Sequence, residues 1–418
     1  MIERLLDKAL RRLLRRGRLT VTYPNGAVRD YGPGPDEPPS PDGSRAVTPV
    51  AGSVSVRVHD MATARHILFN PDLGVAEAYM DGRLTIENDD LRGLLIIAMI
   101  NTADSSSWRL WRMVPLRQAL RPFTEINRIA RSIRNVHHHY DLSSDLYQLF
   151  LDEDRQYSCG YFRTSELSLD AAQEAKKHHI IRKLRVEPGM RVLDIGCGWA
   201  GMAITLARDY GARVTGITLS ESQLAYGRKR IEEEGLTGQI DLQLTDYRAV
   251  TGQFDRIVSV GMFEHVGAPQ YRTFYRVVRD RLTEDGVALI HSIGSTAPPS
   301  PTSSFIRKYI FPGGALPTLS QIATACEREG IAITDVEVLR RHYAETLKKW
   351  RERFEARADE ARKIYDDRFV RMWRFYLLAS EMSFRVQQLV VFQVQVSRRN
   401  DALPITRNYM FDPPRSQS

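Results

Sequence analysis

Cysteine is scarce in this chain: three residues in 418, at Cys159, Cys197 and Cys326. Three thiols build no disulfide framework, and no Cys-x-x-Cys pair offers a structural zinc site, so a reducing, intracellular setting is expected. Long apolar runs are also missing. The longest, Leu94 to Ile100, falls far short of the roughly 20 residues that a bilayer-spanning helix needs. Met1 to Arg18 interleaves charge with apolar residues and lacks the continuous apolar core of a secretory signal. No internal repeat is visible. With 43% hydrophobic and 26% charged residues, fibrous and wholly disordered classes are excluded.

What the chain does have is basic charge. Lysine and arginine total 59 against 51 acids, a net charge of +8, which favours an anionic partner: nucleic acid, a phosphate ligand or an anionic membrane surface. Residues 1–18 read as a basic amphipathic helix. Ile2, Leu5, Leu6, Ala9, Leu13 and Leu14 recur at helical spacing among Arg4, Lys8, Arg11, Arg12, Arg15 and Arg16. Such a helix packs its apolar face on its own domain or lies on a membrane surface. Proline and glycine make residues 32–44 a loop. Gly52 to His59 alternates like a strand, and Met61 to Asn70 reads as a short helix. A first domain over 1–120 carries no recognisable catalytic cluster. A linker is expected at 121–145 and a second domain over 146–418, with Tyr343 to Arg398 mostly helical.

From Met190 onward strands and helices alternate, the pattern of a mainly parallel sheet covered on both faces. Strands are expected at Met190–Ile195, Ala212–Ile217, Ile240–Leu244, Asp255–Val260 and Val287–Ile293. Helices are expected at Gly201–Tyr210, Glu221–Glu234 and near Pro269–Leu282. Between the first strand and helix stands Asp194-Ile195-Gly196-Cys197-Gly198-Trp199-Ala200-Gly201. Glycines there permit a tight turn and close approach of backbone to a ligand. The partial Gly-x-Gly-x-x-Gly spacing would suit a pyrophosphate, but Asp194 just before it repels one and suits a cation. S-adenosylmethionine is such a ligand, with an ammonium and a sulfonium. Thr218, Leu219, Ser220 and Gln223 follow the second strand, where ribose hydroxyls would lie. Asp246, Tyr247 and Arg248 follow the third, at the adenine edge.

Motifs in order along the chain make the resemblance specific. They are His139-Tyr140-Asp141-Leu142-Ser143-Ser144-Asp145, Tyr157-Ser158-Cys159-Gly160-Tyr161-Phe162, the Gly196 turn and Thr218-Leu219-Ser220. Gly261-Met262-Phe263-Glu264-His265-Val266-Gly267, His291-Ser292-Ile293-Gly294-Ser295, Tyr309-Ile310-Phe311-Pro312-Gly313 and Tyr343 follow. The chain resembles the cyclopropane-fatty-acyl-phospholipid synthases, and Leu73 to Gly82 resembles their N-terminal domain. The resemblance implies a Rossmann-like class I methyltransferase domain of α/β class, preceded by a smaller α+β domain. It implies transfer of a carbon from S-adenosylmethionine to the cis double bond of a phospholipid acyl chain, with bicarbonate as base. The anion would be held by Cys159, Glu264, His291, Ile293 and Tyr343. The cofactor would be held by Tyr157, Ser158, Asp194, Gly196, Cys197, Gly198, Thr218 to Ser220, Gln223, and Asp246 to Arg248.

Taken singly, each of these has a plainer reading: Cys159 as a small buried hydrophobe, Glu264 as a cap, His291 as a core histidine, Tyr343 as a helix anchor. Adjacent side chains do not share a face, so His137, His138 and His139 are read as polar residues and no metal is expected. Ala200 stands where many relatives have glycine, and Ser380 where many have cysteine; Glu381-Met382 replaces smaller residues, which leaves room for an altered acyl channel. The expected partner is an unsaturated phospholipid at the inner face of a membrane, met by a cytoplasmic, peripheral homodimer. No nucleic-acid partner is expected, since no RNA-binding module is recognisable. Alternatives are a methylene- or methyl-branched product from the same chemistry, and a small-molecule or RNA methyltransferase.

Overall fold

A computed structural model describes residues 1–35, 52–103 and 144–411. His137, His138 and His139, most of the linker and most of the proline-rich loop lie outside the described residues. The chain forms two compact units, neither continuous in sequence. The first comprises Met1–Leu120, Pro301–Ile310 and Leu347–Gln388, and the second Arg121–Ser300, Phe311–Thr346 and Leu389–Ser418.

In the first unit, alternation in β3 (Ser53–Val58) buries Val54, Val56 and Val58, as period-two patterning requires. With β1 (Gly17–Thr22), β2 (Val28–Gly34) and β4 (Leu84–Ile86), it forms a sheet ordered β2-β1-β3-β4. The N-terminal helix α1 (Ile2–Leu13) buries Leu6 and leaves Arg4, Lys8, Arg11 and Arg12 exposed. It is tied down by polar contacts. The Asp7 carboxylate accepts from Tyr31 Oη at 3.0 Å and pairs with Arg29 at 3.1 Å. Arg15 and Arg16 beyond its end donate their amides to Asn101 Oδ1 at 2.7 and 3.0 Å. The apolar face of α1 therefore packs on its own unit.

Helix α2 (Met61–Phe69) is capped by Asp60, whose carboxylate accepts from the Thr63 amide at 2.7 Å. Then come α3 (Pro71–Met80) and α4 (Leu91–Ala103). The long helix Asp367–Val386 buries Trp373, Phe375, Leu377 and Leu378 and packs on α3 and α4. Its aromatic richness is thus core-forming.

The second unit is a seven-stranded sheet ordered β10-β11-β9-β8-β5-β6-β7. Strands β5 (Arg191–Ile195), β6 (Arg213–Thr218), β7 (Ile240–Leu244), β8 (Phe254–Val260) and β9 (Leu282–Ser295) run parallel. Strand β11 (Leu389–Ser397) lies antiparallel between β9 and β10 (Ala332–Leu339). The last segment is thus not helical throughout. Burial on both sides removes the alternation that would have marked β11 as a strand. Apolar clusters fill both faces of the sheet, one around Leu193, Ile257 and Phe274, the other around Val192, Ala203 and Leu206. The loops that follow β5, β6, β7, β8 and β9 all open at the carboxyl edge, where ligands bind in such sheets.

Candidate active site

The turn after β5 is built on left-handed backbone. Gly196, Gly198 and Ala200 have φ of 85°, 55° and 71°. At Gly198 the space a Cβ would occupy is open, while at Gly196 it is met by Met262. Gly201 has no room for a side chain, because Asp154 and Gln156 press on it. The amides of Gly196 and Cys197 donate to the Ile217 carbonyl at 2.9 and 3.0 Å, which ties the turn to β6. A cleft opens beside it. Gly196, Gly198, Thr218, Leu219, Gln223, Asp246, Tyr247 and Arg248 of the expected cofactor set line it.

Thr218 Oγ1 donates to Gln223 Oε1 at 3.0 Å, and Ser220 caps the following helix by accepting from the Gln223 amide. The Asp246 carboxylate takes both arms of Arg248 at 2.7 Å, and Arg248 also reaches Gln270 Oε1 at 3.0 Å. This fixes the rim at Tyr247, whose buried hydroxyl has no hydrogen-bond partner. Cys197 is not on the cleft wall: its sulfur packs over Gly216 on the core side. Asp194, Tyr157, Ser158 and Ser220 are likewise not among the residues that line the cleft. Asp194 is 2% exposed, and its Oδ2 has no partner. Burial pushes its carboxyl up to about 7, and the Lys176 ammonium draws it partly back.

A second constellation follows β8 and β9. Glu264, in the 3₁₀ turn Phe263–His265, accepts the Ile293 amide at 2.6 Å on Oε1, while its buried Oε2 has no partner. Burial lifts this carboxyl to about 7. His291, two residues before Ile293 and so on the same face of β9, accepts the Gly261 amide on its carbonyl oxygen at 2.9 Å. Its Nδ1 lies 3.2 Å from Gln393 Nε2, and its buried Nε2 has no partner. Burial drives the imidazole well below its ordinary pKa, so it is neutral. With the Gln393 amide donating to Nδ1, Nε2 carries the proton and is a donor. The Ile293 amide is committed to Glu264.

Cys159 is buried with its thiol pushed up by desolvation, which makes it a neutral group and no nucleophile. The loop that carries it is pinned to the start of the helix His342–Ala356. The Gly160 amide donates to Thr346 Oγ1 and the Phe162 amide to His342 Nδ1, both at 3.0 Å. Tyr343 sits in that first turn, 8% exposed.

Residues 127–394 match the family model described as mycolic acid cyclopropane synthetase. The chain is 37% identical over 367 residues to the cyclopropane-fatty-acyl-phospholipid synthase of Escherichia coli, covering 85% of this chain and 91% of that one. It is 37% identical over 350 residues to a probable fatty acid methyltransferase of Pseudomonas putida, covering 80% and 85%. The chain belongs to the mycolic acid cyclopropane synthetase family. Among solved structures, the mycolic acid cyclopropane synthase CmaA1 complexed with SAH and CTAB is 32% identical, with a TM-score of 0.60 over 63% of this chain and 97% of that one.

As a member of this family the chain is an S-adenosylmethionine-dependent methyltransferase with the Rossmann-like fold. The cleft suits that cofactor on its own terms: an open glycine turn, apolar walls of Leu219 and Val266, and, next in sequence to Ile195 of its wall, a buried Asp194 oxygen with no partner, whose charge a positive ligand would offset. Sequence reading missed Thr245, Gly261, Met262, His265 and Gln270 on the cleft wall. It also missed Lys176 and Gln393, whose side chains bond Ser158 and His291. Glutamine inside an apolar strand is the signal that would have found Gln393, while nothing in the sequence of the helix Leu169–Leu184 sets Lys176 apart from Lys177 and Lys183. Among the described residues no group of histidine, cysteine and acids could hold a metal, and no helix is long and apolar enough to cross a membrane.

Proposed function

We propose that this chain transfers a carbon from S-adenosylmethionine to the cis double bond of an unsaturated phospholipid acyl chain and closes a cyclopropane ring. The observation that carries the proposal is the pair of buried, unsatisfied groups, Glu264 Oε2 and His291 Nε2, at the strand ends beside the cofactor cleft. Ring closure gives such a pair a task, holding a small base beside the reacting carbon, whereas in methylation of an amine or hydroxyl it would take the nucleophile's proton directly.

An alkene is a weak nucleophile, and its attack leaves positive charge on the acyl carbon. Ring closure then requires that the new methyl group lose a proton in a place from which water is excluded. When bound, S-adenosylmethionine supplies the electrophilic methyl group and bicarbonate a small base. The chain's own residues prepare the place. Glu264, oriented by the Ile293 amide, turns an acceptor oxygen into a buried site. His291, held by Gln393, offers a donor. Tyr343 and the backbone of Cys159 complete the anion set in this reading. Asp194 balances the charge of the cofactor, with Tyr157 and Ser158 behind it.

The proposed substrate lies in a membrane, so the enzyme works as a peripheral protein at the inner face, with the exposed arginines of α1 toward anionic lipid, and as a homodimer. Labelled S-adenosylmethionine incubated with unsaturated phospholipid vesicles should yield labelled lipid whose fragmentation shows a cyclopropane. The fatty acid methyltransferase among its relatives favours a second reading, a methyl- or methylene-branched chain, and the same fragmentation reads it. Unlabelled lipid would refute both.

A further inference from the structure

Lysine almost never lies fully buried without a purpose or a partner. Lys176, in the helix Leu169–Leu184, is 0% exposed. Its Nζ donates to Ser158 Oγ at 2.8 Å and to Gln156 Oε1 at 2.5 Å. Three residues earlier, Gln173 Nε2 donates to the carbonyls of Ser158 and Gln156 at 2.9 and 3.2 Å. The next residue, Lys177, pairs with Asp154 at 2.7 Å, and Asp154 presses on Gly201 at the end of the glycine turn. One helix face therefore grips the segment 154–158 from behind. That segment stands against the cleft, since Ser158 Cβ is the nearest atom, at 3.9 Å, to the Cβ position of Gly261 on its wall.

We propose that Lys176 is a positioning residue of the cofactor site: its buried ammonium clamps the Gln156–Ser158 segment and brings a positive charge to the neighbourhood of Asp194. Asp194 has no cation bonded to it, yet it is fully desolvated. Lys176 is the charge that opposes this desolvation. The other charged and titratable groups that face the pair are Asp152, Asp154, Lys177, Cys159, Cys197 and His291. Of these, Asp152 is pushed up to about 6 by burial. Burial also brings Lys176 down to about 8, so it remains charged where Asp194 titrates. Direct hydrogen bonding of the lysine to Asp194 would neutralise the site. Bonding the lysine to Ser158 and Gln156 instead leaves the carboxylate free for a ligand while lowering the cost of its charge.

This inference rests on the methyltransferase reading and is tested on its cofactor. Affinity for S-adenosylmethionine is measured by calorimetry from pH 5.5 to 9 in the wild type, Lys176→Met, Lys176→Arg and Ser158→Ala. Wild-type affinity should fall as pH drops through about 7. In Lys176→Met the midpoint should move up by roughly one unit, which weakens binding about fivefold at pH 7 and hardly at pH 9. Lys176→Arg should restore the wild-type midpoint. Ser158→Ala, which removes a contact and keeps the charge, should weaken binding without moving the midpoint. Equal weakening of Lys176→Met at every pH, or no change, would overturn the proposal. Should Lys176→Met not fold, the double variant Lys176→Met/Asp194→Asn decides. Recovery of folding shows the two charges coupled, and failure shows Lys176 to be structural only. A wild type that binds no cofactor at any pH would instead refute the cofactor site itself.

Discussion

Two regions of this molecule treat a buried acid in opposite ways. In the first unit, burial pushes the Glu77 carboxyl up, but Lys308, Tyr309 and His66 outweigh it and bring the group down to about 2. They reach it at 2.6, 2.7 and 2.7 Å. Glu381, 2% exposed, is paired with Arg351 and Arg385 at 3.2 and 2.8 Å. In the second unit, Asp194 and Glu264 are more deeply buried than Glu77, each has an oxygen with no partner, and both rise to about 7. Partnered acids hold a structure together. Acids that lose water and gain no cation are costly to the apo fold, and a ligand that supplies the missing partner recovers that cost. The comparison separates scaffold from site without reference to which residues are polar.

The largest test of the contrast lies in turnover. Glu264→Gln keeps the size and the bond from Ile293 but removes the charge. Product formation should fall about 10²–10⁴-fold, the range for a positioned acid–base group. Affinity for S-adenosylmethionine should barely move. A near-normal rate would strip Glu264 of its proposed task.

Asp194→Asn should act on binding and stability in opposite senses. Cofactor affinity should drop on the order of 10²-fold, as expected when a buried opposite charge is removed. The apo protein at pH 8 should melt higher, because a carboxyl whose folded pKa is raised stabilises less as pH climbs from its unfolded value through about 7. Thermal scans at pH 4, 5.5 and 8 check this: the gain should be largest at pH 8, smaller at pH 5.5 and all but gone near pH 4, where the unfolded carboxyl is itself protonated. A variant that melts lower at pH 8 would place Asp194 among the partnered acids.

Glu77→Gln should do the reverse. Loss of charge-assisted bonds should destabilise the protein at neutral pH by about 1–3 kcal/mol. The wild-type contribution of Glu77 is complete above its unfolded pKa and fades as pH falls toward about 2, so the difference between the two proteins should shrink in acid. Denaturant curves at pH 7 and 3 measure it. The smallest effect belongs to the exposed charges of α1. Arg12→Gln should weaken co-sedimentation with anionic vesicles by about 1 kcal/mol, and high salt should erase the difference. Salt-independent binding would assign contact with lipid to another surface.

Much of the second unit was legible because its signals are local. Positive φ at Gly196 and Gly198 demands glycine, and alternating apolar runs mark strands; the helix Gly201–Tyr210 and strand Ile240–Leu244 were read to the residue. Strand β11 was not, since burial on both faces leaves no period to read. Nor did the pattern of Leu347–Gln388 show that its apolar face belongs with α3 and α4, near the other end of the chain.

The sequence by itself determined the turn chemistry, the strand order's carboxyl-edge loops and the residue types available at them. It also determined the basic face of α1, because these depend on neighbours a few residues away. Only the tertiary structure decided that α1 packs inward, that Ile293 spends its amide on Glu264, and that Cys197 turns to the core. It alone decided that Lys176 stands behind Ser158. The reason is physical: whether a charge costs or contributes depends on the water it loses and the partner it gains, and here both come from segments tens to hundreds of residues away.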